Sequence, residues 1–226
     1  MTPTQVNQLF QSYTDESDRT FLTDPQIGLY LAEAYTQFRS VVCNVDPFIY
    51  SIQHLFTLTG SNIYDLAANP PQILGPAAAA TGNKLERLLR VARINDTTQN
   101  EVLQWLESSP SQKSITMWGY TFVNSSLIFA SNSTSSFRME YVPFHSVNFE
   151  LNGAAAVSPY IDDLDGFHEL IALLAYSRYA IRDGADNIQL LQSVKKRSGE
   201  LEAFLQHGRN REGSSYVHDQ LYSGNF

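Results

Sequence analysis

One predicted helix constrains this chain more than any other segment. Ile27, Leu31, Ala34, Tyr35, Phe38 and Val42 recur at three- and four-residue steps, while Gln26, Glu33, Gln37 and Arg39 fall on the opposite side. Thr23-Asp24-Pro25 supplies a cap and a proline start, and Pro47 ends the run. A helix that is apolar on one side is not stable alone in water, so that side has to be covered by other elements. Matching patterns return in the last third. Leu164, Phe167, His168, Ile171, Leu174, Ala175 and Arg178 predict a helix to about Arg182. Ile188, Leu191, Val194, Leu201, Phe204 and Leu205 predict a second, from about Ala185 to His207. Asp183-Gly184 breaks between them, and Gly208 suits a C-cap. An antiparallel hairpin results, with Phe167, Ile171 and Leu174 expected to face Leu191, Val194 and Leu201.

A shorter helix is expected at the start, where Thr2-Pro3 precedes Val6, Leu9, Phe10 and Tyr13. The middle reads differently. Phe56-Leu58 and Ile63-Leu66 flank Thr59-Gly60-Ser61-Asn62, the pattern of a hairpin turn. Asn69-Pro70-Pro71 and the Ala-rich run from Gly75 to Gly82 form a breaker-rich link. Lys84 to Ile94 fits helix or strand, and Thr97 to Leu106 fits a short helix. Thr116–Val123, Leu127–Ala130 and Phe137–Val142 read as an antiparallel meander closed by Pro143. The expected fold is α+β and predominantly helical. N-terminal helices (1–46) and a C-terminal hairpin (160–208) pack as one helical body around an antiparallel β-rich insertion (47–159). An extended C-terminal tail (209–226) follows.

Charge and motifs narrow the chemistry. The net charge of −8 argues against gripping nucleic acid by bulk attraction. Twelve Tyr and 13 Phe suit either broad contact surfaces or a Tyr-rich core. Cys43, the single cysteine, sits in an apolar helical run and reads as a small core residue. The start lacks a signal-peptide pattern, and Leu170–Tyr176 is too short to span a bilayer. The chain is therefore expected to be made in the cytoplasm and to stay soluble. Phosphate-binding glycine loops, HExxH, CxxC and GxSxG are absent. Asp162, Asp163, Asp165, His168 and Glu169 form the best metal candidate, but acids ahead of a helix more often cap it and offset its dipole. His54, His145, His207 and His218 have no partner at a catalytic spacing, Asp15-Glu16-Asp18 reads as a solvated loop, and Lys195-Lys196-Arg197 reads as a solvated face. No catalytic residue, cofactor or metal is expected, and the chain reads as a structural subunit rather than an enzyme.

The order of elements resembles the head-to-tail adaptor (connector, or neck) proteins of tailed bacteriophages. The resemblance is carried by Phe21-Leu-Thr-Asp24 before the helix of Leu31, Ala34 and Phe38, by Leu55–Leu66 followed by Pro70-Pro71, by the strand Phe137–Pro143, and by Asp163–Tyr176 with its partner helix and tail. The Gly75–Gly82 stretch and the segment from Thr97 depart from the family pattern. The resemblance implies a virion protein that adds beneath the portal as a ring of about twelve copies. It also implies an extension of the DNA channel and a platform for tail or nozzle proteins. Double-stranded DNA would pass through without specific binding, and no membrane is involved. An acidic lining would let DNA slide. In that family the C-terminal segment docks on the portal, which makes Tyr216, Leu221, Tyr222 and Phe226 the expected anchors. A frayed terminus is the alternative for this segment, and a tail or baseplate component is the competing class for the whole chain.

Overall fold

The computed structural model describes residues 1–14, 22–68, 74, 84–97, 100–116, 119–152, 156–182 and 188–222, with side chains from 95 to 102 and beyond 208 left aside. The chain divides into two compact units, Met1–Asp46 with Ser146–Phe226, and Pro47–His145. The first is helical: α1 (Pro3–Thr14), α2 (Asp24–Val45), α3 (Glu169–Arg182) and α4 (Ile188–Tyr222). Among the described residues the second holds eight strands: β1 (Ile52–Thr57), β2 (Ser61–Asp65), β3 (Leu85–Thr97), β4 (Asn100–Trp105), β5 (Glu107–Ser108), β6 (Gly119–Val123), β7 (Ser126–Ser133) and β8 (Ser136–Pro143).

In the helical unit, α2 starts as its sequence dictates. Pro25 stands in the first turn, and the Thr23 backbone N–H donates to Gln26 Oε1 at 3.0 Å. Ile27, Leu31, Ala34, Tyr35, Phe38 and Val42 are all buried. α3 packs on α1, α2 and α4, and α4 also reaches α2. Polar contacts fix the α2–α3 alignment: Arg178 donates to Glu33 and Gln37, and Arg182 donates to the Tyr30 hydroxyl. Phe149, fully buried, stacks edge-on against Tyr35, and its carbonyl accepts from Asn7 Nδ2.

The β unit is a sandwich of two four-stranded sheets, ordered β1-β8-β3-β4 and β2-β7-β6-β5. Strand pairing is antiparallel except for the short parallel β5–β6 contact. Alternate residues from each sheet meet in an aromatic core. Phe56 stacks on Tyr64 with centroids 4.1 Å apart, and Phe129 meets Phe137 at 4.5 Å. Val91, Leu127, Met139 and Tyr141 complete it.

Several expectations are corrected. The fold is α+β, but it is not predominantly helical: about 47% is helix and 28% strand. The short helix expected over Thr97–Leu106 is β4, which pairs with β3 from Ala92↔Trp105 to Thr97↔Asn100. Pairing with a neighbour decides the conformation there, where the apolar spacing alone also fitted helix. Phe56–Leu58 and Ile63–Leu66 do not form a hairpin. β1 pairs with β8 and β2 with β7, so the turn at Gly60 (φ +86°) carries the chain from one sheet to the other. The meander also splits, because β6 and β7 form a hairpin around Asn124 (φ 55°) while β8 joins the opposite sheet. Most of the Pro- and Ala-rich link at 69–83 lies outside the described residues.

The C-terminal tail is not extended either. Gly208 shows no left-handed φ, and α4 runs through it to Tyr222. Elongating a helix already nucleated costs far less than starting one, so polar residues can be carried along. The hairpin phase is also shifted. Leu190 and Leu201 are buried, whereas Leu191 is 51% exposed. We expect Leu201→Ala to lower unfolding stability by about 2–5 kcal/mol and Leu191→Ala to change it by less than about 1 kcal/mol. Denaturant titration of the two variants checks the assignment, and equal losses would refute it.

Candidate interaction surface

The acidic cluster ahead of α3 was the strongest candidate for chemistry, and the structure engages it in hydrogen bonds and ion pairs. Asp162 Oδ1 accepts from the Leu164 backbone N–H at 2.9 Å and lies 2.7 Å from His168 Nε2. Asp163 accepts from the Tyr160 hydroxyl. Asp165 pairs with the Met1 ammonium at 2.8 Å, which holds its carboxyl below the usual range. Glu169 accepts from the Tyr13 hydroxyl and lies 3.7 Å from Arg197. Asp162 and Asp165 share His168, Asp165 lying 3.4 Å from its Nδ1, and among the described residues no three His, Cys, Asp or Glu side chains are arranged to hold a metal ion. Asp162 does not cap a helix: it binds the Leu164 N–H, ahead of the single turn Asp165–Phe167, which has no side-chain cap. The α-helix begins later than expected, at Glu169.

His168 is the centre of this arrangement. It is fully buried, with one ring nitrogen on Asp162 and the other 3.0 Å from the Met1 carbonyl oxygen. It joins the start of the chain to the turn before α3, which is a structural role. Burial raises the Tyr13 hydroxyl to about 12, with the Glu169 charge adding to it, and the bond to Asp163 raises Tyr160 to about 12.

Arg197 was grouped with Lys195 and Lys196 as a solvated run. The two lysines are exposed. Arg197 instead donates to Glu200 and to the Gly166 carbonyl, and its guanidinium lies 5.4 Å from the Phe167 ring centre. It ties α4 to the turn preceding α3, a link between distant residues that a local charge pattern does not reveal. Cys43 is only partly buried.

Apolar exposure characterises this unit. Leu29, Ile181, Ile188 and Phe204 are all more than half exposed. The buried stripe of α4 comprises Leu190, Leu201 and Leu205 among residues with described side chains. Tyr216, Leu221 and Tyr222 lie on the backbone of its distal part, and Phe226 lies outside the described residues.

No protein-family model matches the chain, and no curated protein matches it.

In the β unit, His54 is buried beside Phe56, with Nε2 3.5 Å from the Tyr64 hydroxyl. Burial holds its pKa below 6.5. The folded state therefore resists protonation more than the unfolded chain does. Above about pH 6.5 both states carry neutral imidazole and this term is silent. As pH falls below that value the unfolded chain binds the proton first, and stability is lost until the folded-state pKa is passed. We expect His54→Phe to remove the part of the stability loss that falls between pH 7 and pH 5. Melting curves across that range check this, and an unchanged slope would refute it.

Proposed function

We propose that this chain is a structural virion component, a head-to-tail adaptor that joins the portal as a ring, extends the DNA channel and carries the tail. The observation that best supports this reading is the length of α4. It has 35 residues against the 14 of α3, or about 50 Å of helix beside about 20 Å. Among the described side chains, its buried leucines are Leu190, Leu201 and Leu205. The remainder continues as helix well past the length that α3 can flank, and a helix in that position gains stability from a further surface. A segment presented on a rigid helix also binds with less ordering cost than a disordered tail.

Charge supports the same reading. The helical unit contains nine Lys and Arg against 17 Asp and Glu, and the β unit contains six of each. The whole net charge of −8 therefore belongs to the helical unit, a composition suited to passing DNA without holding it.

The docking role falls to Tyr216, Leu221 and Tyr222, now on a helix rather than an extended strand, and to Phe226, beyond the described residues. Deleting residues 209–226 is expected to leave the melting midpoint within about 3 °C of the full chain, because Leu201 and Leu205 remain buried. Capture by purified portal rings is expected to be lost. Undiminished capture of the truncated chain would move the contact elsewhere, and no capture of the full chain would end the adaptor reading.

A further inference from the structure

Arg90, on the outer face of the β1-β8-β3-β4 sheet, is held firmly and left with an open edge. Its Nε donates to Glu140 Oε2 at 2.6 Å. Its guanidinium lies 3.7 Å from the ring centre of Trp105 and 4.8 Å from that of Phe48. Glu140 is buried, and its other oxygen accepts from Gln53 Nε2 at 3.1 Å. The sheet register produces this cluster. Glu140 stands opposite Gln53 on one side and Arg90 on the other, and Trp105 stands opposite Ala92 on the far side of β3. Register shifts in β3 between Leu85 and Arg90 set which of its side chains reach this face.

Only Nε of the guanidinium is engaged. Its two Nη groups make no hydrogen bond among the described residues, and the side chain keeps 30% exposure. The conformational freedom that an arginine usually loses on binding is already lost here. A fixed guanidinium fork is suited to a planar oxyanion, which it binds through two parallel N–H···O bonds. Glu140 balances the positive charge, so the site has little pull on a phosphate backbone at a distance. Selectivity comes from geometry, which favours a single carboxylate. The two rings against it, Phe48 and Trp105, are 47% and 40% exposed, and exposed aromatics around an arginine are the composition of a contact hot spot.

We propose that Arg90 anchors a copy-to-copy contact, its free edge receiving a carboxylate from the helical unit of a second copy of this chain. The supply of carboxylates selects that occupant, because 17 of the 23 Asp and Glu, and all of the acidic excess, lie in the helical unit. A contact between two unlike surfaces is heterologous, and repeated around an axis it closes a ring. The inference rests on the reading of the chain as a ring component and adds the residue that joins neighbours.

Sedimentation velocity of the full chain over a concentration series tests it. The wild type is expected to self-associate, and more weakly as salt is raised. Arg90→Lys keeps the charge next to Glu140 but lacks the fork, and is expected to weaken association about ten-fold. The double variant Arg90→Met with Glu140→Met replaces the buried pair by apolar side chains, so it is expected to keep the wild-type circular dichroism and stay monomeric. Association of both variants at wild-type strength would overturn the proposal, as would a wild type that stays monomeric throughout. A monomeric wild type that binds a polyglutamate peptide would assign the fork to a foreign acidic partner and overturn it equally. Portal capture of the wild type tests the adaptor reading alone, so the two failures can be told apart.

Discussion

The burial of the α2 stripe by α3 is the contact on which the helical unit depends. Ile27, Leu31, Phe38 and Val42 have no cover within their own segment, and Leu170, Ile171 and Leu174 supply part of it from the far end of the sequence. The Arg178–Glu33 pair marks the same junction across a separation of 145 residues. Loop-closure cost rises only slowly with length, so this separation is tolerated thermodynamically, although it makes folding wait for the whole chain. α1 and α4 then pack onto a junction that neither could form alone.

The β unit solves a different problem. Two sheets have to share one core, and β8 is buried on both faces from Met139 to Val142. Among the described strands the chain changes sheet four times, and at two of these crossings, Gly60 and the step from β7 to β8, sequence neighbours become partners across the sandwich rather than along a sheet. The Phe56–Tyr64 stack sits at the former and the Phe129–Phe137 contact near the latter. Aromatic side chains fit these places because one ring spans much of the gap between sheets.

These features divide what could be read from sequence from what could not. The α2 face was legible because six apolar residues keep one period over several turns, and all six are buried. Strand positions around Phe137 and Leu127 were legible from β-branched and aromatic content, but their partners were not, since pairing is decided by contacts distant in sequence. β4 misled because Val102, Leu103 and Leu106 fit a helical face as well as they fit a strand. The tail misled because a polar segment gives no sign that it inherits a helix from the residues before it. At the candidate sites, the grouping of Asp162, Asp165 and His168 was visible, while their separate partners were not. Arg90, Glu140 and Trp105 come from three strands, and nothing in their spacing announces that they meet.

The pairing of β1 with β8 places Ile52 opposite Tyr141, so the strands at which the β unit is entered and left lie side by side. An inserted segment whose two ends are neighbours makes little demand on the host that receives it, because the host chain only has to open one loop. The sandwich is thus exchangeable as a cassette. A change in the length or surface of the sandwich therefore need not be passed to the rest of the chain, because both of its ends return to one place.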